Sequence, residues 1–437
     1  MSNESVENRI DEFETAHSSV RVDGLPHWKT RELADEYTEE RKKLTGVDLP
    51  FLLLTLVILM IGVIMVLSAS FVRASYLSGE PMRFFSRQLI FAISGVALMI
   101  LTSRVKVSTM SRFSMYSLLF SVALLVIVLF IGIELNGAKR WIGVGELTFQ
   151  PSEIAKLAVI LSFAQMICKF GGARMRTFKY GVAPFLAITA IIVILLEREP
   201  HLSAAIIITA LMVIMMFAGG TRLRWFLLAG LAVAAIAGAV ILVNARGQIK
   251  DIKTIDFAEQ ITQIEVGGNR LDYAGGRIGA WLDPDADPLA GGYQIRQSLN
   301  AVGSGGLLGQ GLGKSRQKYL YLPEEHNDYI FAVVCEELGY IGAMLILMLF
   351  TLLIIRGYWL ALHAKDRFSA LITTGITSLL AIQVFLNVAV VTNLVPATGI
   401  SLPFFSSGGT ALWIQLFQMG IILAVSREIP AYAGDRG

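Results

Sequence analysis

Charge is scarce in this sequence. Only 16% of its 437 residues are Asp, Glu, Lys or Arg, against about 25% in a typical soluble domain. Cysteine is scarcer still: Cys168 and Cys335 lie far apart in apolar runs, which excludes a disulfide scaffold and offers no metal-ligand spacing. The charge also lacks a dominant sign. With 37 basic and 34 acidic residues the net is +3, and the electrostatic case for nucleic acid falls away. What fills the chain is apolar side chain, 54% of it, for a mean hydropathy of +0.62. So much apolar surface has no place in water, and soluble, collagen-like and disordered classes are all excluded. The sequence reads as an all-α polytopic membrane protein.

A helix needs about 20 mostly apolar residues to cross the hydrocarbon core. Such stretches fall near 50–71, 88–103, 113–134, 153–170, 181–197, 203–219, 225–244, 328–355, 369–392 and 410–426, which predicts about ten transmembrane helices. The short loops on the side of the N-terminus hold twelve Lys and Arg, and those on the other side six. The positive-inside rule then puts both termini in the cytoplasm. Segment 245–327 becomes a large extracellular loop between helices seven and eight. The expected organisation is an acidic cytoplasmic tail, 1–48, a membrane domain, 49–427, and a cytoplasmic C-terminus, 428–437. The tail holds twelve acidic and seven basic residues and has no apolar signal-peptide core. Within it, 30–44 has a helical pattern, with Glu39 four residues before Lys43.

Polar residues inside a bilayer are costly and mark function by default. They crowd the outer side in four places. In 136–157, Lys139, Arg140 and Trp141 precede Gln150-Pro-Ser-Glu, a helix start with Glu153 near the positive end of the dipole. Lys156 follows on the same face. Either Glu153 and Lys156 neutralise one another or Lys156 holds an anionic group. The glycine-rich run 303–315 ends in Gly313-Lys314-Ser315 but has Leu308 where a phosphate-binding Walker loop needs glycine, so its glycines are expected to serve tight backbone turns. The third cluster, Leu322-Pro-Glu-Glu-His-Asn-Asp328, enters a span carrying Glu336 and Glu337. Asp328 can be a helix N-cap, and Glu325, His326 and Asp328 make a weak candidate metal site. At least one of Glu336 and Glu337 must face protein, with Lys156 or Lys139 as the expected partner. Last, 393–410, which includes Ser406, is broken by Pro396, Gly399, Pro403, Gly408 and Gly409. It reads as a re-entrant or cavity-lining loop.

These segments carry a resemblance. Asn136-Gly-Ala-Lys-Arg-Trp-Ile with Gln150-Pro-Ser-Glu is similar to the first signature of the SEDS family (shape, elongation, division and sporulation). Leu322-Pro-Glu-Glu-His-Asn-Asp-Tyr-Ile-Phe-Ala with Glu336-Glu-Leu-Gly resembles the second, and Pro403-Phe-Phe-Ser-Ser-Gly-Gly the third. The likeness covers about 50–427 in order and spacing. Gln317-Lys-Tyr-Leu-Tyr-Leu-Pro is closer to the FtsW and SpoVE branch than to the RodA branch. Three departures stand out: Ser407 where tyrosine is usual, Asn327 for threonine, and Glu199-Pro-His201-Leu-Ser203 where many relatives have Gln-Pro-Asp-Leu-Gly.

The resemblance implies a peptidoglycan glycosyltransferase that polymerises lipid II on the outer face of the bacterial cytoplasmic membrane, in division or sporulation. It implies the division septum as the site of action and a class B penicillin-binding protein transpeptidase as partner, with other division or sporulation proteins. Membrane lipids complete the partners, and no nucleic acid is expected. The essential carboxylate maps to Asp328, and further motif residues to Arg140, Trp141, Glu153 and Lys156. With Lys139, His326, Glu336 and Ser406, these are the candidate substrate-binding residues; no metal ligand is assigned. The chemistry needs one base for the acceptor hydroxyl and cations for the pyrophosphate, and leaves room for a divalent cation, Mg or Mn. Two rivals predict different features. A lipid II flippase would line the full depth of the bilayer with polar groups such as Gln165, Gln383, Asn387, Gln415 and Gln418. A non-catalytic divisome scaffold would need none of the site.

Overall fold

The computed structural model describes residues 46–135, 138–144, 147–199, 201–231, 279–284 and 291–429. These fall almost wholly within one body, Val47–Glu428. The tail helix expected at 30–44, most of the seventh span expected at 225–244, and 245–278 and 285–290 of the long loop lie outside the described residues.

The helices are α1 (Leu49–Ser78), α2 (Arg83–Thr102), α3 (Val107–Ile131), α4 (Pro151–Met175), the single turn α5 (Phe178–Gly181), α6 (Ala183–Arg198), α7 (Leu202–Ala218), α8 (Gly291–Ser304), α9 (Ile330–Leu362), α10 (Arg367–Val391) and α11 (Gly409–Glu428). Among the described residues eight helices are long and apolar enough to cross a membrane, counting α5 and α6 as one; α7 is as apolar but shorter, at 17 residues. Local chemistry sets their ends. The Asp48 carboxylate accepts from the Phe51 N–H at 2.9 Å, with proline in the first turn of α1, and Gly79 closes that helix in the left-handed conformation. Asp366 caps α10 in the same way through Ser369. Glu428, at the end of α11, accepts from the first N–H of α3.

The core is built around α4 and α10, which pack on each other and on α7. On one side α11 lies along α2 and α3 along α4; on the other α9 packs on α10 and α1. The apolar faces that remain exposed, such as Phe113, Tyr116, Phe120 and Phe130 of α3, suit lipid contact.

Two departures from the sequence reading shape the site. First, the connection before α4, in a chain read as all-α, contains strands. It forms a three-stranded antiparallel sheet of β1 (Ile133–Leu135), β2 (Ala138–Val144) and β3 (Leu147–Phe149), with Ile133 opposite Trp141 and Glu134 opposite Lys139. Second, α9 is broken at Gly339, whose φ of 69° and ψ of −172° lie outside the helical region. The glycine-rich run supplies the missing backbone partners. The Gln310 and Gly311 N–H groups donate to the Glu336 and Glu337 carbonyls, while the Gly306 and Leu307 carbonyls accept from the Tyr340 and Ile341 N–H groups. A Cβ on Gly339 would overlap the Gly309 nitrogen, and one on Gly309 would overlap the Glu337 carbonyl oxygen. These glycines therefore do more than turn the chain at a surface. They let a loop repair a membrane helix.

Candidate functional site

The described residues of the connections before α4, between α6 and α7, before α9 and before α11 meet at one end of the bundle, the end that the charge bias assigns to the outside. Asp328 lies there, half-buried, two residues before α9. It is not the helix cap: that position is Tyr329, and no side chain caps the helix. Its carboxylate is left for other partners. The Ser401 hydroxyl donates to Asp328 Oδ1 at 3.5 Å, and the Cβ position of Gly399 lies 3.2 Å from Oδ2. Asn387, buried in α10, fixes the backbone by donating to both the Asp328 and the Ile400 carbonyls at 2.7 Å. One amide thus ties the aspartate segment to the broken loop 393–408.

That loop is held from several sides. Ser406 donates from its hydroxyl to the Asn327 carbonyl at 2.9 Å, and the Ser407 N–H donates to the His326 carbonyl at 3.0 Å. Gln415 accepts from the Phe404 N–H. Phe404 and Phe405 are buried against Phe350, so aromatic packing survives with serine at 407.

The Asp328 loop is anchored by charge. Arg73, at the end of α1, donates to the fully buried Glu325 carboxylate at 2.8 Å. Burial still holds the Glu325 carboxyl above its usual range, against the pull of Arg73. His326 packs its ring 5.0 Å from that of Phe84. Burial lowers its pKa to about 4, partly offset by Glu324 and assisted by Arg73. Glu325, His326 and Asp328 thus serve different partners rather than forming a metal cage. Among the described residues no three His, Cys, Asp or Glu side chains could hold an ion, and the residues present do not fit a protein-built cation site.

Glu336 and Glu337 are buried, but neither takes Lys156 or Lys139 as expected. Glu336 accepts from the Ser315 hydroxyl at 2.5 Å and from the Arg316 and Gln317 N–H groups. Glu337 pairs with Lys318 at 3.0 Å and accepts from the Ser68 hydroxyl of α1 at 2.6 Å. The pair anchors the glycine-rich loop. Lys318 and Arg73 were missed; Arg73 is a cation at the edge of the first apolar run, which is the signal that could have marked it, whereas Lys318 follows Lys314 and Arg316 in a polar stretch and carries no such mark.

A second cluster surrounds Lys156. It is buried and bonded to Glu153 at 2.7 Å, so the expected i,i+3 pair is present. Strand alternation separates the cations of β2: Lys139 is exposed, Trp141 is half-buried opposite Ile133, and the Arg140 guanidinium donates to the Glu199 carbonyl at 3.2 Å. Glu199 and His201 are buried in the turn between α6 and α7. Burial pushes the Glu199 carboxyl up to about 8 despite Arg140. His201 is lowered to about 3 by burial, with Arg140 and Lys156 adding to the shift. The two clusters share a wall: the Ser203 hydroxyl, in the first turn of α7, donates to the Thr398 carbonyl, three residues before Ser401.

An apolar cavity of about 620 Å³ runs between α2, α3, α4 and α11, lined by Leu98, Phe113, Ile154, Leu157, Trp413 and Phe417 among others. Ile154 and Leu157 immediately follow Glu153 and Lys156 on α4.

The described residues thus define a polytopic helical membrane protein with an aspartate-centred polar site, a buried lysine in a second polar cluster and an apolar cavity along α4. Residues 49–430 match the cell cycle protein family FtsW/RodA/SpoVE, and the chain belongs to that family. It is 40% identical over 388 residues to stage V sporulation protein E of Bacillus subtilis, covering 88% of this chain and 98% of that one. To the probable peptidoglycan glycosyltransferase FtsW of Geobacter metallireducens it is 38% identical over 390 residues, 89% and 96% of the two chains. Among solved structures, it is similar to a chain of a peptidoglycan synthase complex that coordinates polymerization and crosslinking, with TM-score 0.69, 26% identity and coverage of 87% and 98%. The rod shape determining protein RodA of Thermus thermophilus gives TM-score 0.61 at 25% identity, over 89% and 100%.

Proposed function

We propose that this protein is a peptidoglycan glycosyltransferase that polymerises lipid II into β-1,4-linked glycan on the outer face of the cytoplasmic membrane. The observation that carries the reading is the placement of Asp328: a carboxylate not spent on capping, fixed through Asn387 and Ser401, and sharing the Thr398–Ser401 wall with the Arg140–Lys156 cluster. The donor sugar is α-linked to pyrophosphate and the product is β-linked, so a single displacement with inversion suffices. Asp328 takes the proton of the acceptor 4-hydroxyl, the oxygen attacks C1, and the C1–phosphate bond breaks to release undecaprenyl pyrophosphate. Arg140 and Lys156 face the charge of that leaving group, which needs no second carboxyl to protonate it. The apolar cavity along α4 suits the polyprenyl chain.

A divalent cation is the one cofactor this chemistry admits, and its ligands would come chiefly from the substrate phosphates. The partner is a penicillin-binding protein, in keeping with the peptidoglycan synthase complex whose chain this one resembles; the finer assignment is a class B transpeptidase at the septum, with both termini of this chain cytoplasmic. The flippase reading is not favoured. Among its expected path residues, Gln165 accepts from Ser111, Gln415 from Phe404 N–H, and Asn387 is spent on two carbonyls.

The test uses purified protein and lipid II, with and without the cognate penicillin-binding protein, resolving products by glycan length. Glycan from the native protein and a loss of about 10²–10⁴-fold in Asp328→Asn support the base assignment; undiminished polymer from folded Asp328→Asn overturns it.

A further inference from the structure

The turn between α6 and α7 holds polar atoms that the reaction scheme leaves without a task. Both carboxyl oxygens of Glu199, Nδ1 of His201 and the Ser152 hydroxyl are buried with no hydrogen-bond partner among the described residues. Glu199 is 1% exposed and Ser152 fully buried. Leaving a buried polar group unpaired costs about 1–3 kcal/mol, so four such atoms at one end of the bundle mark a place where something else supplies the bonds. Ser152 and Lys156 are four residues apart and share a face of α4, and Lys156 acts electrostatically on His201. The atoms thus belong to one neighbourhood.

The surroundings choose the sign of the missing partner. Arg140 reaches the Glu199 carbonyl, and Lys156 stands on α4. Two helices also begin here, α4 at Pro151 and α7 at Leu202, and neither Gln150 nor His201 caps its helix with a side chain. First-turn N–H groups and the positive ends of two dipoles are therefore directed at the same region. With Glu153 pairing Lys156, the two cations and one carboxylate leave a net positive charge beside two helix N-termini, a setting that takes an anion rich in acceptor oxygens.

Resting on the polymerase reading above, we propose that this turn is a phosphate subsite, in which Glu199 acts as a neutral carboxylic acid. It donates a hydrogen bond to a phosphate oxygen of the lipid pyrophosphate while Arg140 and Lys156 carry the opposing charge. The proton stays on Glu199 throughout. Uncharged His201 adds a second ring N–H or lone pair without adding charge. The burial that raises Glu199 to about 8 keeps it protonated at neutral pH; an ionised carboxylate in the same place would repel the phosphate. The charged groups on the packed elements are Arg140 of β2, Glu153 and Lys156 of α4, and His201 ahead of α7. Glu197 and Arg198 of α6 are exposed, and the half of α3 that ends at Ile131, like the 393–408 loop, carries no titratable residue.

The experiment measures initial polymerisation rates on lipid II from pH 6.5 to 9.5 for full-length native protein, Glu199→Gln, Glu199→Ala and Asp328→Asn, with thermal unfolding of each sample at each pH. The native rate is expected to fall above about pH 8, approaching about tenfold per pH unit as the acid ionises. Glu199→Gln, a neutral donor of similar size, keeps the rate at pH 7 within about threefold and loses the alkaline limb; Glu199→Ala loses about tenfold or more at pH 7. Inhibition by added undecaprenyl pyrophosphate weakens from pH 7 to 9 in the native protein but not in Glu199→Gln. If inorganic pyrophosphate inhibits with the same pattern, the subsite reads phosphate alone; if only the lipid-linked form does, the tail is needed as well. An alkaline limb that persists in Glu199→Gln, or that follows a fall in unfolding temperature, overturns the proposal. Should Glu199→Ala fail to fold, Glu199→Gln still decides. Glycan from native protein but not from Asp328→Asn, with the limb unchanged in Glu199→Gln, sinks the subsite alone; no glycan from folded native protein sinks both readings.

Discussion

Lys318 Nζ lies 3.0 Å from Glu337 Oε1, and both side chains are buried, the carboxylate completely. The pair joins the loop before Asp328 to the outer turns of α9, and Ser68 of α1 bonds to the same carboxylate at 2.6 Å. Removing one member leaves a buried charge without its counterpart. Lys318→Met is expected to cost about 3–5 kcal/mol, read as a lowered unfolding temperature in detergent. Lys318→Met/Glu337→Gln should recover part of that loss. A single variant as stable as the native protein would show that the pair contributes little.

Arg73 plays a similar part for Glu325, closer to the proposed base. Arg73→Ala leaves the Glu325 carboxylate buried without its cation and loosens the segment that carries Asp328. Polymerisation should drop by about tenfold or more, with Arg73→Lys intermediate because it can restore charge but not the guanidinium geometry. Equal rates for Arg73→Ala and native protein would remove Arg73 from the positioning of the loop.

Asn387 is held to a stricter standard, because its two bonds both go to backbone carbonyls. Asn387→Leu removes the donor at nearly constant volume and leaves two buried acceptors. Its expected signature is a kcat lower by about tenfold or more with KM little changed, since the aspartate is misplaced while the substrate-binding cations are untouched. A raised KM with normal kcat would instead place Asn387 in substrate binding.

His326 sets an acid limit. Its folded pKa, about 4, lies below the ordinary 6.5, so the unfolded chain takes up a proton first as the pH falls. The stability this represents is fully present above pH 6.5 and is lost as the pH drops towards 4, on the order of 3 kcal/mol. Unfolding temperatures should decline over that window, and His326→Gln should flatten the decline. Identical pH profiles for the two proteins would mean that the ring does not titrate in the folded loop.

Gly339 tests the repaired helix. Its positive φ and the close approach of the Gly309 nitrogen leave no room for a methyl group. Gly339→Ala should therefore lower the yield of folded protein or its unfolding temperature strongly, whereas Gly303→Ala, in α8 with nothing within 4 Å of its Cβ position, should be milder. Equal tolerance at both positions would argue against the break.

The helices were legible because about twenty apolar residues in a row admit few other structures, and the start of α4 was legible because Gln150-Pro-Ser-Glu combines a proline at the first helical position with an acid in the first turn. Asp328 and Lys156 could be singled out as polar residues at the edge of apolar runs. Their partners could not. The Arg73–Glu325 contact spans 252 positions and the Ser68–Glu337 contact 269, and no local pattern encodes such pairings. The sheet at 133–149 was missed because its strands are three, seven and three residues long, too short for alternation to stand out. Glu199 was visible only as a departure from the relatives' glutamine; its burial beside Arg140 comes from the tertiary fold.

The loop that completes α9 has a consequence for exchange with solvent. The amides of Gln310, Gly311, Tyr340 and Ile341 are bonded across the break, each segment to the other, so neither can release its amides while the other stays closed. Deuterium should enter both segments with one shared rate, slower than that of an ordinary surface loop. A partner that grips the glycine-rich run from outside would thereby hold a lever on the membrane helix itself, through nothing more than main-chain bonds.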